Sequence, residues 1–194
     1  MTTNNSEQIE EFDPKTIFSK IDLMHYREIN RYFRDVCTDE NKKKMIAIIN
    51  GDKNEISLRL LDWFVTKFIK QRNIKTLGKI NIIDIDMNYS AQLSTYGKKN
   101  LDPFRRHTKF VYKMTIDDQP VDLLTTLGQL TFFHWVFEYE CNLISLIESS
   151  KDFLIEKMNK SNKNEKQIKE ANNKIITSVK NVTKQELQFT ITFD

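Results

Sequence analysis

Two stretches near the N-terminus repeat apolar residues at three and four positions, and three others, farther along, alternate apolar with polar. In the first, Ile29, Tyr32, Phe33 and Val36 recur at helical spacing while Arg27, Arg31 and Arg34 fall elsewhere, which predicts a helix over 24–36. Thr38 has the side chain of an N-cap for a second helix reaching Ile49, and Gly51 is its stop. Ser57 caps the clearest amphipathic helix, whose Leu58, Leu61, Phe64, Val65, Phe68 and Ile69 form one apolar stripe, with Trp63 at its border. Packing is the simplest use of that stripe.

The first alternating stretch, 79–89, sets Asn81, Ile83, Ile85, Met87 and Tyr89 against Ile80, Ile82, Asp84, Asp86 and Asn88 and predicts a strand. The second puts Phe110, Tyr112 and Met114 on one face and Lys109, Val111 and Lys113 on the other, and the third runs through Leu187, Phe189, Ile191 and Phe193. Between them, Thr125 to Tyr139 is apolar on most sides and predicts a buried helix capped by Thr125 or Thr126. Gly128 in its first turn weakens that helix, so close approach of another backbone is its expected reason. A short helix follows over 142–148, then a long lysine-rich one from Lys151 to Ile176 whose apolar positions lapse between Asn159 and Gln167, a linker or an exposed helix.

The fold class expected is α+β: a small antiparallel sheet with strands near 80–88, 108–115 and 186–193, packed with several helices, plus the lysine-rich helix. The 80–88 and 108–115 strands are expected to pair. Residues 1–20 read as a mobile leader, and 21–194 as one domain in which 150–184 form a helical arm returning to the C-terminal strand.

Composition adds that there is a core to build, since 13 Phe, 6 Tyr and 2 Trp in 194 residues argue against disorder. Cys37 and Cys141 lie in helix-like surroundings without metal spacing and read as packed thiols, in keeping with a reducing compartment. The N-terminus resembles neither a signal nor a transit peptide, and no apolar run approaches a membrane span.

Charge changes the picture more, because its distribution is uneven. The chain carries +3, yet between Gly97 and Lys113 six bases face the single acid Asp102. Residues 114–150 hold six acids and no Lys or Arg, and 151–184 hold nine Lys against four acids, so two basic blocks bracket an acidic one. Asp102-Pro103 forces a turn in the first basic block, and Gly97 adds a second flexible point. Lys98, Lys99, Arg105, Arg106, Lys109 and Lys113 are therefore candidates for gripping phosphates, with Tyr96 and Phe104 for stacking on bases. The alternative is a solvated turn at the mouth of a strand.

Catalytic candidates are thin. Asp84 and Asp86 on one strand face could hold a divalent metal, but solvent-facing polarity explains them more simply. No Ser or Cys nucleophile with a matching acid can be placed beside His134, which reads as a satisfied or half-exposed core histidine. No phosphate loop, dinucleotide fingerprint, HExxH pair, nucleophile elbow or zinc spacing is present, so the chain is expected not to be an enzyme and to need no cofactor or metal.

Three stretches carry a family resemblance: Tyr96-x-Lys98-Lys99-x-Leu101-Asp102-Pro103-Phe104-x-Arg106; Thr125-Thr126-Leu127-Gly128-Gln129-Leu130-x-Phe132-Phe133-x-Trp135-x-Phe137; and Val182-Thr183-Lys184 through Phe193-Asp194. Together they resemble a family of uncharacterised proteins of nucleocytoplasmic large DNA viruses, the giant viruses. The resemblance implies a viral protein of the infected host cytoplasm, the viral factory or the virion, and it implies no chemistry. Residues and resemblance together give the expectation of a nucleic-acid-associated protein, DNA or RNA, that binds phosphate backbones through its basic turn. The alternative is a virion structural or scaffold protein that binds other virion proteins through the aromatic helix or the terminal strand. Self-association is left open, and no membrane partner is expected.

Overall fold

Helical structure begins earlier than the apolar repeats indicate. The computed structural model describes residues 13–53, 55–71, 74–104, 108–139 and 143–182, the side chains of 172–182 excepted. Asp13 caps a single turn, α1 (Pro14–Ile17), by accepting from the Lys15 amide at 2.9 Å. Phe18 then packs edge-on against Phe110 at 5.3 Å, so residues 13–18 of the expected leader are built onto the fold. Helix α2 (Lys20–Asp35) buries His25, Ile29 and Phe33 at four-residue spacing. In α3 (Asp39–Asn50) the Thr38 cap and the Gly51 stop stand where the sequence places them, with Gly51 in the left-handed region at φ 77.

Ser57 caps α4 (Leu58–Trp63), also as expected, but the helix then widens into a π-helical turn, Phe64–Phe68, closed by the Ile69 amide on the Phe64 carbonyl at 3.1 Å. Two two-residue strands, β1 (Thr76–Leu77) and β2 (Ile80–Asn81), form a minimal antiparallel hairpin.

The next element corrects the sequence reading. The expected strand over 80–88 is a strand only at Ile80–Asn81; from there the chain is a helix, α5 (Ile82–Leu101), capped by the Asn81 side chain accepting from Ile83 N at 3.1 Å. The segment satisfies both periods in sequence. Its helical stripe, Ile82, Ile85 and Tyr89, is the one the fold buries, while Ile83 and Met87, core-facing on a strand, stay exposed. Helix α5 kinks at Gly97, whose φ of 72 and ψ of 154 lie outside the helical region.

The 108–115 strand exists as β3 (Phe110–Ile116), but its partner is β4 (Gln119–Thr125), in a register running from Phe110↔Thr125 to Ile116↔Gln119. Strand β4 escaped notice because Pro120 and Asp122 interrupt its apolar pattern. Two consecutive left-handed residues, Asp117 at φ 48 and Asp118 at φ 60, close the hairpin, a backbone suited to a two-residue turn. The strand expected at 186–193 lies outside the described residues.

Helix α6 (Leu127–Glu138) is the centre of the core, packed on α5 and α2, with nearly every side chain from Leu127 to Val136 buried. Full burial of Phe132 and Phe133 contributes about 1.5–3 kcal/mol each. Thr126 is the cap, in a reciprocal capping box with Gln129. Gly128 makes the close approach its place in the sequence implies: a Cβ there would stand 2.8 Å from the Asp102 carbonyl oxygen. Cys37 is a buried thiol pushed up to about 11 by burial, with Asp39 adding to the rise and Lys42 opposing it. Cys141 lies outside the described residues.

Helix α7 (Leu143–Ser149) completes this part of the chain. The whole is α+β, helices with two small antiparallel sheets. By its internal contacts the chain divides into two units, Met1–Lys151 and Asp152–Asp194. The second is described as far as α8 (Lys151–Val182), which is helical straight through 159–167, with Glu156 and Lys160 ion-paired and Lys157 over the Phe153 ring at 5.4 Å.

Candidate nucleic-acid interface

The π-helical turn and the kinked end of α5 enclose a groove of about 450 Å³, lined by Asp62, Thr66, Lys67, Lys70, Tyr89, Leu93, Lys98, Asp102 and Phe104. Each wall has a local cause. Thr66 Oγ1 donates to the Asp62 carbonyl at 2.7 Å, a back-bond that loosens the turn where the helix widens. One extra residue per turn there resets the faces, so that Lys67 and Lys70 both reach the groove from solvent-exposed positions. Across from them, the kink at Gly97 places Lys98 on the groove side. Asp102 Oδ1 accepts from the Phe104 amide at 2.9 Å, and this Asx turn with Pro103 holds the Phe104 ring out at 52% exposure.

The groove mixes signs in a definite way. Three lysines stand against two carboxylates, Asp62 and Asp102. Burial pushes Asp62 up to about 6, and the charge of Asp102 adds to the rise while Lys67 and Lys98 oppose it. Burial, with both carboxylates, also raises the Tyr89 hydroxyl, which therefore keeps its proton.

Of the residues singled out in the sequence, Lys98 and Phe104 are the only ones among the described residues that are brought together here. Lys99 instead pairs with Asp22 at 3.0 Å, beside Asn100, whose Nδ2 donates to the same carboxylate at 2.9 Å. Lys109 is exposed just ahead of β3 and Lys113 is exposed on it, opposite Asp122 in the hairpin register. Arg105 and Arg106 lie outside the described residues. Tyr96 is a correction: it is buried at 7% exposure against His25, ring centroids 4.9 Å apart, and cannot stack on a base. It falls on the inner stripe of α5, which runs on to Leu101 where the sequence predicts a basic turn. Lys67 and Lys70, which the sequence reading passed over, are the additions. Their spacing on the polar side of an amphipathic helix was visible, but not the approach of Lys98, about thirty residues on.

A second opening, about 600 Å³, lies between α2, α5 and α6 and includes Glu28, Tyr32, Tyr96, His134 and Glu138. His134 is a core histidine, as expected: buried, 4.4 Å from the Tyr32 ring, its Nε2 3.4 Å from Glu138 Oε2. Burial lowers its pKa against the pull of Glu138 and Glu28. Asp84 and Asp86 do not share a face, because two residues on a helix are about 200° apart. Asp84 borders a cleft with Asn88 and Trp135, whose indole donates to Asn88 Oδ1 at 2.7 Å. Among the described residues no three His, Cys, Asp or Glu side chains gather as a metal would need, and no helix is long and apolar enough to cross a membrane.

Comparison with known proteins gives kinship without chemistry. Residues 5–190 match a family described as a family of unknown function, DUF7197. An uncharacterised protein, L507, of Acanthamoeba polyphaga mimivirus is 34% identical over 148 residues, 68% of this chain and 56% of that protein. The match thus spans about half the length of its relative. No solved structure matches. A giant-virus family without assigned function is what the three sequence stretches had implied.

Proposed function

We propose that this chain, which belongs to the DUF7197 family of unknown function, is a non-enzymatic nucleic-acid-associated protein that holds phosphate backbones along the groove between its π-helical turn and α5. The observation that carries the reading is the convergence of Lys67, Lys70 and Lys98 with an exposed aromatic ring on one open groove. Lysines supply mobile point charges for phosphate oxygens, and an outward ring offers a face to bases. Arg105 and Arg106, next in the chain after Phe104, extend the same charge in sequence. The mimivirus relative makes viral genomes or transcripts, in the host cytoplasm or the virion, the natural polyanion.

The test is a salt titration of binding to labelled single-stranded DNA, duplex DNA and RNA, comparing wild type with Lys67→Glu/Lys70→Glu/Lys98→Glu. Each neutralised phosphate contributes about 0.7–0.9 to the slope of log affinity against log salt, so the triple variant should flatten the slope by about 2–3. A folded triple variant with unchanged slope and affinity would reject the groove as the contact.

A second reading, a virion structural protein that binds other proteins, draws on exposed apolar side chains at helical spacing: Ile21 and Met24 on α2, at 65% and 63%, and Ile83 and Met87 on α5. Light scattering after size exclusion separates the two, because self-assembly indifferent to nuclease belongs to this reading alone.

A further inference from the structure

The groove that carries the proposed function has an interior unsuited to phosphate. Its lysines are exposed, whereas Asp62 is partly buried on the side of the π-helical turn and Asp102 lines the groove from the α5 side. A phosphate pressed inward would meet two carboxylates. Something flat that brings hydrogen-bond donors would meet acceptors, with an apolar side formed by Leu93 and the rings of Tyr89 and Phe104. A nucleobase has that form, and its own phosphates would remain at the lysines. Bases in a duplex are stacked and paired, so the base in question is unpaired.

We infer that the groove binds single-stranded nucleic acid by seating one unpaired base, guanine before the others, between the Phe104 ring and the Asp62 carboxylate. The preference follows from donor placement. On its pairing edge guanine presents two adjacent donors, the ring N1–H and the exocyclic amino group, which match the two oxygens of one carboxylate. Adenine and cytosine set one amino donor beside an acceptor nitrogen, and uracil sets one N–H between two carbonyls, so each brings a lone pair against Asp62. The Thr66 hydroxyl is already spent on the Asp62 carbonyl. With Asp102 Oδ1 already accepting from the Phe104 amide, this leaves Asp62 as the carboxylate to read the edge. The inference rests on the proposed function and narrows it to single strands.

The experiment measures binding of labelled oligouridine strands that carry one central guanine, inosine, adenine or uracil, and of the guanine strand annealed to its complement. Wild type should bind the guanine strand about tenfold more tightly than the uracil and adenine strands. Inosine, which lacks the exocyclic amino group, should fall between. Asp62→Asn should bring the strands to within about twofold of one another and leave the salt slope unaltered, a combination that loss of fold does not produce. Phe104→Ala should weaken every single strand by about tenfold. Equal or tighter binding of the duplex, or a guanine preference that survives Asp62→Asn, overturns the inference while leaving the lysine groove in place. Failure of every strand to bind overturns both.

Discussion

Replacing Gly128 by alanine tests the joint between the core and the groove. A Cβ at this position meets the Asp102 carbonyl oxygen at 2.8 Å, the carbon of the same carbonyl at 3.6 Å and the Lys99 carbonyl oxygen at 3.8 Å. The first distance is well inside the roughly 3.5–4.0 Å at which non-bonded heavy atoms attract. Both near groups are backbone, and Asp102 is tied down by the buried Pro103 and the bond from Phe104 N, so relief must come from shifting α6 against the end of α5. Overpacking of this kind costs about 1–3 kcal/mol. Alanine returns up to about 1 kcal/mol of helix propensity, less in a first turn, leaving a net loss of about 1–2 kcal/mol. At this chain length that corresponds to a fall in Tm of about 2–8 °C. Urea denaturation should show a lower midpoint with an unchanged slope, and single-strand binding should fall as well, because Asp102 carries Phe104. A Gly128→Ala protein as stable as wild type, or more so, would show that propensity outweighs the contact and that the close approach is not why glycine stands there.

Two further predictions concern buried carboxylates. Burial alone pushes Asp22 up, but hydrogen bonds from Lys99, Asn100 and Ser19 and the charge of Lys99 together hold it below its ordinary 3.8. Its contribution is therefore whole above pH 3.8 and is lost as the pH falls through the lower folded value. Asp22→Ala should cost about 1.5–3 kcal/mol at pH 7, from bonds to a charged group, and should shrink the acid-induced loss of stability below its ordinary 3.8. Asp62 has the opposite sign. Its folded value of about 6 exceeds the ordinary 3.8, so the folded state takes up a proton between them and loses stability as the pH rises through that window. Asp62→Asn should accordingly raise Tm at pH 7.5, with the gain closing by about pH 4; a gain independent of pH would mean that the carboxylate is not held in the groove.

The helix caps show what was legible in the sequence. Thr38, Ser57 and Gly51 were placed correctly because a cap depends on the backbone of its own turn and on nothing distant. Gly128 was legible too, since glycine in the first turn of an apolar helix is unfavourable unless space is short. The 80–88 segment was not. Alternation and helical spacing coexist in it, and the choice fell to which side chains found partners in α6. Strand β4 was hidden by Pro120 and Asp122, which are acceptable on a hairpin whose outer face meets water. For the groove, the turn at Asp102 and Pro103 and the roles of Lys98 and Phe104 could be read locally; Lys67 and Lys70 could not, because nothing along the chain records that the π-helical turn lies beside it.

By itself the sequence determined the caps, the all-round burial of α6, the outward charge near residue 100 and the kinship with an uncharacterised giant-virus family. Each depends on neighbours within a turn or two, or on letter-by-letter likeness. Tertiary structure decided that Ile82 and Ile85 face inward from a helix, that Tyr96 is core, that Lys99 belongs to Asp22 and that Lys98 shares a groove with Lys67, Lys70 and Asp62. Those outcomes depend on contacts between residues far apart in the chain, where packing and desolvation select one of several locally equivalent arrangements.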